Sequence, residues 1–361
     1  MATAIRVEVL PARLGDCLLI ECVRPRRRPW RMLVDGGPPD TWPLLAARLD
    51  RLPASGPTID VAVITHIDSD HIGGMIPFLG SDFARDHVRD VWFNGRPHLA
   101  APRRAPKSVT QGEAVGATLA GAPGAPPGMP WNLAFAGGAI ATPAAPGFGE
   151  LQVPDGPRIT VLSPNPPRLA ALAKVWFAAL DKALHPPQER PAPDLPGPLG
   201  DLTALAARRT AKDATAPNGS SIALLVEHRG ASVLLGADAF GPVLTSALQA
   251  LAQARGIPAV EVDALKLPHH GSQANVLTDL ITAAPARHYL VSSNGDTFGH
   301  PDDPAIARVV TAAPRGATLW FNYRNARTER WADPALTAAH GYAVRFPAAP
   351  DTGTVLALPA R

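Results

Sequence analysis

Short apolar runs alternate with amphipathic segments along most of the chain, and this alternation predicts strands interleaved with helices. Near the start, three apolar runs predict strands over residues 5–10, 17–23 and 32–34. Residues 41–52 follow, where leucines and alanines recur at helical spacing and predict an amphipathic helix.

The same alternation continues to the end of the chain. Further strands are predicted where apolar runs are bounded by turn residues, and further helices where apolar residues recur every three or four positions. The predicted strands are 61–64, 91–93, 158–164, 220–226, 231–235, 262–267, 288–292, 318–323, 342–346 and 354–358, and the predicted helices are 76–83, 170–184, 243–255 and 304–313. Strands that alternate with helices and are grouped at both ends of the chain predict an α/β protein, in the broad sense that includes layered α+β folds.

Two segments interrupt this pattern. Residues 98–157 are dominated by alanine, proline and glycine, and residues 185–217 are rich in proline. Because the core pattern resumes after each of them, we expect a single domain over residues 1–361 with an insertion at 98–157 and a loop at 185–217 beside the site. Within the insertion we expect a helix near 111–119 and short strands near 131–135.

The composition is that of a globular protein, with 46% hydrophobic and 18% charged residues. No apolar run reaches the length of a membrane span and the first residues lack a signal-peptide pattern, so we expect a cytoplasmic protein without a membrane partner. Cys17 and Cys22 lie an odd number of positions apart in one predicted strand, which points them to opposite faces and argues against a disulfide.

The charge distribution leaves the class of substrate open. A net charge of +3 permits an anionic substrate without requiring one. The arginine-rich run at 24–31 is interpreted as a solvated hairpin tip, and the alternative is an electropositive finger for phosphates with Trp30 available for stacking.

The stretch richest in chemistry follows the buried apolar run at 61–64. Two histidines and two aspartates lie within six positions of one another, at the point where a central strand ends and the chain turns. Imidazole nitrogens and carboxylate oxygens are metal ligands, and two carboxylates this close repel each other unless a cation lies between them. The four residues are His66, Asp68, Asp70 and His71.

This loop resembles the signature of the metallo-β-lactamase superfamily, His-x-His-x-Asp-His, with Asp68 in place of the second histidine. The variant is similar to the branch that includes the hydrolase domain of the ComEC competence proteins and its free-standing soluble relatives. The resemblance extends over nearly the whole chain except the insertion, with the motifs in the superfamily's order. It implies an αβ/βα sandwich, in which two mixed sheets face each other with helices outside.

The resemblance also implies a set of metal ligands around one or two divalent ions. Asp238 corresponds to the carboxylate that bridges both metals, and His269 is preferred to His270 because it comes first after its strand. His270 is then left to contact substrate or to brace a neighbour. The implied ligands are Asp70, His71, Asp238 and His269 at one site, and His66 and Asp68 at the other.

One position departs from the superfamily's usual pattern. Asn218 stands where another histidine ligand is usual, so that site would hold an amide oxygen at best. Fewer nitrogens and more oxygens shift the preference from Zn²⁺ towards Mn²⁺ or Mg²⁺. The turn formed by Asp35, Gly36 and Gly37 is implied to support the metal loop from behind without binding metal itself.

Three further side chains are candidates for the chemistry. In a hydrolase that uses a metal-activated water, Asp70 is expected to orient the water or take its proton. His300 is expected to donate a hydrogen bond or a proton to the substrate, or otherwise to be a capping residue. Ser272 is a candidate for binding phosphate or metal, although serines are also common in turns.

The leading functional prediction is a metal-dependent phosphodiesterase or nuclease, with a nucleic acid or nucleotide as substrate. One alternative keeps the metals and hydrolyses a lactone, thioester or β-lactam. Another is a non-catalytic metal-binding partner in a competence or antiphage defence system. The oligomeric state is left open.

Overall fold

Two β-sheets face each other in the computed structural model, and helices cover the outer side of each sheet. The structure describes residues 2–53, 56–99, 114–121, 128–143, 148–184, 193, 195, 197–350 and 352–361. In chain order the strands are β1 (Thr3–Val9), β2 (Leu18–Cys22), β3 (Trp30–Val34), β4 (Val61–Val63), β5 (Val91–Trp92), β6 (Glu150–Gln152), β7 (Arg158–Ser163), β8 (Ala223–His228), β9 (Ala231–Leu235), β10 (Val262–Lys266), β11 (Ala286–Val291), β12 (Thr318–Phe321), β13 (Ala343–Arg345) and β14 (Thr354–Pro359).

The helices connect these strands and are mostly short. In chain order they are α1 (Trp42–Leu49), α2 (Ser69–Ile72), α3 (Met75–Leu79), α4 (Asp82–His87), α5 (Ala114–Ala120), α6 (Pro166–Leu184), α7 (Leu202–Ala206), α8 (Ala216–Gly219), α9 (Gly241–Arg255), α10 (Thr278–Ala283), α11 (Asp303–Ala312), α12 (Ala326–Glu329) and α13 (Pro334–His340). Single 3₁₀ turns occur at Pro39–Thr41, Arg96–His98, Leu133–Phe135, Pro268–Gly271 and Arg330–Ala332.

Both sheets are mixed, and each has an antiparallel half and a parallel half. The first runs β14-β1-β2-β3-β4-β5, with parallel pairing from β3 to β5. The second runs β13-β12-β11-β10-β9-β8-β7-β6, with parallel pairing from β13 to β9. The carboxyl ends of β3, β4, β9, β10 and β11 therefore become available to loops that can build a site.

The core follows from the alternation of side chains along each strand. In β4, Val61 and Val63 pack between the sheets, whereas Ala62 packs against the helices of the first sheet. The same division separates the two cysteines, because Cys22 faces the space between the sheets and Cys17 faces the helices. Both thiols are free and buried. Two sheets with helices outside confirm the predicted αβ/βα sandwich.

The predicted short strands near 131–135 are wrong. Trp131 forms a single bridge to Val91, and the chain then turns through the 3₁₀ helix Leu133–Phe135. The side chain of Asn132 replaces sheet pairing, because its Oδ1 accepts from the Phe93 N–H and its Nδ2 donates to the Phe93 carbonyl.

Other expectations for the irregular segments are only partly covered by the described residues. The helix expected near 111–119 is described over Ala114–Ala120, and residues 111–113 lie outside the described residues. Within 185–217, residues 185–192, 194 and 196 also lie outside them. A single domain over 1–361 with an insertion at 98–157 stays a prediction.

The arginine-rich run at 24–31 does not offer the stacking surface considered for it. Trp30 is only 3% exposed and packs between the sheets. Arg28 makes two hydrogen bonds to the Asp60 carboxylate, at 2.6 and 2.7 Å. The solvated hairpin tip is therefore the better description of this run.

Close backbone packing holds the loop after β4 in place. A Cβ atom on Gly15 would lie 1.8 Å from the Asp70 carbonyl oxygen, and one on Gly36 would lie 2.6 Å from backbone atoms of Gly74 and Met75. The Gly36 N–H also donates to the carbonyl of His71. Glycine at these positions lets neighbouring loops touch the stretch that carries the histidines and aspartates.

We expect Gly15→Ala to lower the free energy of unfolding by about 2 kcal/mol, because the added methyl group overlaps backbone that cannot move independently. Urea denaturation measures this change. The matched control is Gly116→Ala, where no atom lies within 4 Å of the added Cβ and the helix should become no less stable. Equal stability of the Gly15→Ala and wild-type chains would contradict the packing described here.

Candidate metal centre

The loop after β4 is shaped by one buried carboxylate. Asp35, at the end of β3, accepts hydrogen bonds from the backbone N–H of Thr65 (2.8 Å) and from its hydroxyl group (2.7 Å). The same carboxylate lies 2.8 Å from Nδ1 of His71. Asp35 is fully buried and has a left-handed backbone with φ of 56°. It thus connects β3 to both ends of the stretch from Thr65 to His71.

Four histidines point their Nε2 atoms into the site, and the Nδ1 atom of each lies beside a hydrogen-bond acceptor. Nδ1 of His71 faces the Asp35 carboxylate, and Nδ1 of His270 faces the Ser292 carbonyl at 2.9 Å. Nδ1 of His269 lies 3.0 Å from Oδ1 of Asn275.

The fourth histidine, His66, is placed by Thr65. Its Nδ1 lies 3.0 Å from the Thr65 oxygen, whose own proton goes to Asp35. These partners place the proton of each neutral ring on Nδ1, so every Nε2 presents a lone pair.

Two of these lone pairs meet two carboxylate oxygens in the deeper part of the site. The five measured distances among His71 Nε2, His270 Nε2, Asp238 Oδ1 and Asp70 Oδ2 are 3.1, 3.3, 3.3, 3.6 and 3.9 Å. A tetrahedral divalent ion holds such ligands about 2.0–2.2 Å away, which separates them by roughly 3.3–3.6 Å. The observed separations bracket that value, so one ion fits this cluster, which we call the inner cluster.

A second group of donors lies nearer the surface, and we call it the outer cluster. His66 Nε2 lies 3.8 Å from Asp68 Oδ2 and 3.9 Å from Asp238 Oδ2. His269 Nε2 lies 3.7 Å from the same Asp238 oxygen. The side chains of Asp68 and His269 are 31% and 24% exposed, so this cluster forms the open side of the site.

Asp238 belongs to both clusters, with one carboxylate oxygen facing each. Its Oδ1 and the Nε2 of His66 are buried without any hydrogen-bond partner. Buried polar atoms without partners are costly, and a cation in each cluster would satisfy them. The donor set therefore fits one or two divalent ions.

The structure exchanges the expected places of the two neighbouring histidines. His270, rather than His269, lies beside His71 and Asp70, and His269 faces Asp238 from the outer cluster. Both residues have left-handed backbones, with φ of 48° at His269 and 53° at His270. Such a turn reverses the direction of successive side chains in a way that counting positions after a strand does not reveal.

Asn218 lies at the edge of the outer cluster. Its Nδ2 donates to Oδ2 of Asp213 at 2.7 Å, and its Oδ1 is buried without a partner. Asp213 also lies 3.3 Å from Nδ1 of His269 and thus helps to orient that ring. Sequence reasoning did not single out Asp213, because it lies in the proline-rich segment without a recognisable motif.

A buried ion pair lies beneath the inner cluster. Lys266 and Asp16 are both 1% exposed, and Lys266 Nζ donates to Asp16 Oδ2 at 2.6 Å. The other Asp16 oxygen lies 3.3 Å from Nδ1 of His270. Asp16, His71, Asp238 and His270 also form a buried group that could hold an ion. Because Asp16 is neutralised by Lys266, we assign it to bracing His270.

The protonation of these groups shows how strongly the site attracts positive charge. Burial alone would lower the pKa of His71 and His270, but nearby carboxylates, Asp238 foremost, raise the pKa of His71 well above its usual value and that of His270 to about 9. By contrast, burial lowers the pKa of His66 to about 3 and keeps it neutral. Protons thus take the place that cations would fill in the inner cluster.

The other candidate residues lie around these clusters. The His300 ring contacts the His269 ring with centroids 5.3 Å apart, and burial lowers its pKa. The Ser272 hydroxyl accepts a weak hydrogen bond from the Ala274 N–H, which is the role of a turn residue. Gly36 and Gly37 follow Asp35 and pack against the metal loop and the Asp16 segment.

None of the helices in the described part of the chain combines the length and apolarity that a membrane crossing requires. A family model described as the metallo-beta-lactamase superfamily matches residues 31–296, which is well over half of the chain. No curated protein sequence matches the chain.

Several solved structures are similar to the chain at low identity. The metallo-beta-lactamase fold protein YhfI from Bacillus subtilis is 10% identical over 99% of this chain and 100% of that chain, with a TM-score of 0.45. Zn²⁺-bound PqqB from Methylobacterium extorquens is 14% identical over 98% and 100%, with a TM-score of 0.41. MEM-A1, a subclass B3 metallo-beta-lactamase from a soil metagenome library, is 15% identical over 73% and 76%, with a TM-score of 0.30. Scores below 0.5 are too low to carry a functional conclusion.

We expect the wild-type chain to bind two divalent ions, whereas His270→Ala and His269→Ala each retain one and Asp238→Ala retains neither firmly. The reason is that the two histidines face different clusters and Asp238 serves both. Elemental analysis after equilibrium dialysis against Mn²⁺ or Zn²⁺ measures the stoichiometry. His87→Ala is the control, since His87 ends α4 and its carbonyl accepts from the Thr58 and Ile59 N–H groups at the amino end of β4, away from the clusters. Wild-type stoichiometry in His270→Ala would overturn the assignment of that residue.

Between pH 6 and 8, metal affinity should rise with pH by about tenfold per unit for each proton that the ion displaces. Because the pKa values of His71 and His270 are raised, the inner cluster holds a proton at neutral pH that an incoming ion must displace. Competition with a chelating dye at several pH values gives the dependence. An affinity that does not change over this range would show that no proton is displaced.

Proposed function

The chain belongs to the metallo-beta-lactamase superfamily, and on this basis we propose that it is a metal-dependent phosphodiesterase acting on nucleic acid or nucleotides. The superfamily consists mostly of metal-dependent hydrolases. The finer assignment rests on the donor set and on the surroundings of the site. The observation that carries it is Asp238, whose two oxygens face separate groups of histidines and aspartates.

The ligands favour phosphate chemistry over acyl chemistry. Each cluster combines two imidazole nitrogens with carboxylate oxygens, and Asp68 stands in the outer cluster where the superfamily's pattern has a histidine. A larger share of oxygen donors favours Mn²⁺ or Mg²⁺ alongside Zn²⁺. For the same reason, and because Asn218 takes the place of another histidine, we propose that the chain belongs to the branch that includes the ComEC hydrolase domain.

The proposed hydrolysis needs both the bound ions and nearby side chains. When bound, a pair of divalent ions would supply Lewis acidity towards the phosphoryl group and offset charge on its oxygens. The nearby histidines outweigh burial and lower the pKa of Asp70, so this carboxylate is ionised and can accept a proton from the attacking water.

We propose that His300, whose ring contacts His269 of the outer cluster, also acts on the substrate. Its Nδ1 lies 3.4 Å from the Asp302 carboxylate, and its ring is neutral at neutral pH because burial lowers its pKa. With its proton on Nε2, the neutral ring would donate a hydrogen bond to a phosphate oxygen.

We also propose a cytoplasmic location, since both buried cysteines are free thiols.

The proposal is tested with a panel of phosphodiesters offered to the purified full-length chain with Mn²⁺, Mg²⁺ or Zn²⁺. The panel contains single- and double-stranded DNA, RNA, cyclic nucleotides and bis(4-nitrophenyl) phosphate, together with a lactone and a chromogenic β-lactam. We expect turnover of at least one phosphodiester and of neither acyl substrate. The metal-loaded chain hydrolysing only the lactone or the β-lactam would replace the proposal with an acyl hydrolase.

Within that assay we expect Asp70→Asn and Asp238→Asn to lower kcat by about a hundredfold or more, since each removes a charge that the site uses. His87→Ala should retain full activity. A metal-loaded wild-type chain that turns over none of these substrates would favour a non-catalytic metal-binding protein. Full activity in Asp70→Asn would remove that residue from the mechanism.

A further inference from the structure

Phe298 is the most unusual side chain on the surface near the metal centre. It is 53% exposed, and among the described residues no other phenylalanine, tyrosine or tryptophan is exposed to this extent. Exposed aromatic rings are costly unless they have a partner, and they are enriched where proteins bind other molecules.

The loop that carries Phe298 is held in a strained shape. Thr297, the preceding residue, has φ of 61°, which a β-branched side chain rarely adopts. The loop is anchored at its start, where the Asn294 N–H donates to the Arg13 carbonyl and the Asn294 carbonyl accepts from Asn325. Strain maintained by such anchoring is characteristic of functional loops, and here it presents the aromatic ring to solvent.

A line of rings leads from Phe298 to the metal centre. The rings of Phe298 and His300 are stacked, with centroids 6.2 Å apart and planes inclined by 21°. The His300 ring in turn contacts His269, which lies on the open side of the outer cluster. A planar group stacked on Phe298 would therefore lie two rings away from the outer cluster. A neighbouring part of the same molecule could then reach the clusters.

A basic pocket lies next to Asp302, the carboxylate that neighbours His300. It encloses about 450 Å³ and is lined by Arg208, Arg209, Arg327 and Asp302 among others. Asp302 links the pocket to the site, because its Oδ1 lies 3.4 Å from Nδ1 of His300. Arg327 links it to the Phe298 loop, because a Cβ on Gly299 would lie 3.5 Å from the Arg327 guanidinium.

The charge of this pocket is not neutralised within the described part of the chain. Arg208 and Arg209 are exposed, and no carboxylate among the described residues pairs with either. Of the two acidic residues of the lining, Asp303 pairs with Arg330, and Asp302 lies beside the neutral His300 ring and accepts from the Gln273 N–H, so the three arginines of the lining outnumber its carboxylates. The pocket therefore offers positive charge to an anion.

From these contacts we infer that Phe298 and the arginine pocket form a subsite for single-stranded nucleic acid, which rests on the proposed phosphodiesterase function. A base stacks on Phe298, and a neighbouring phosphate lies beside Arg208 and Arg209. Aromatic stacking combined with a basic groove is the usual means of holding a single strand. A base inside a duplex is covered on both faces and cannot rest on Phe298.

Binding is measured separately from hydrolysis. Fluorescence anisotropy measures the affinity of the full-length chain for a short fluorescein-labelled oligo(dT). A chelator in the buffer removes divalent ions, so that binding is not followed by cleavage. We expect Phe298→Ala to weaken binding about tenfold and Phe298→Trp to preserve it, because stacking one base contributes a factor of this size. The double variant Arg208→Ala/Arg209→Ala should weaken binding and reduce the slope of log affinity against log salt by about 0.7 per arginine.

Two controls match these variants in exposure and residue type. Leu133→Ala removes an exposed apolar side chain, and Arg27→Ala removes an exposed arginine at the hairpin tip. Neither is expected to change the affinity for oligo(dT). A duplex of the same length should bind about tenfold more weakly than the single strand.

The outcomes separate this inference from the proposed function. Unchanged binding in Phe298→Ala, or equal binding of duplex and single strand, would overturn the subsite even if phosphodiesters were hydrolysed. Binding that depends on Phe298, in a chain that hydrolyses no phosphodiester, would support the subsite while removing the proposed activity.

Discussion

Lone pairs that converge without an intervening positive charge are the constraint on which the site depends. Two imidazole nitrogens lie 3.1 Å apart in the inner cluster, and both have their protons directed elsewhere. Carboxylate oxygens of Asp70 and Asp238 approach the same point. Such an arrangement is repulsive unless a cation or a proton lies at its centre, so the fold holds the donors in readiness for one.

The groups behind the histidines make that convergence possible. Asp35, Asp16 and Asp213 each stand on the far side of a different ring, and Asp35 is itself held by Thr65. Asp35 and His71 both belong to the first sheet, whereas Asp16 reaches His270 from the opposite sheet, so the His270 ring is oriented only where the two sheets pack together. The orientation of the ligands is therefore a property of the whole sandwich rather than of the loop after β4.

The sequence was sufficient for the features that depend on local periodicity. The alternation of apolar residues predicted strands interleaved with helices, and the resemblance of the motifs implied the sandwich. The spacing of His66, Asp70 and His71 identified the loop that the structure places at the clusters. The sequence was insufficient where the backbone conformation of a turn decides which way a side chain points or whether a strand forms. The left-handed turn at His269 and His270 settles which ring faces inward, and the side chain of Asn132 replaces the strands expected at 131–135.

Long-range partners were also beyond local patterns. Asp213 contacts His269 from a proline-rich segment without a recognisable motif. The stacking of Phe298 on His300 is visible only in the three-dimensional structure.

The shared carboxylate of Asp238 has a thermodynamic consequence. An ion in either cluster fixes the orientation of that group and removes part of its negative charge, so occupancy of one position alters the affinity of the other. This coupling is reciprocal, whichever position fills first. The chain would then bind metal along a curve that two independent positions would not give.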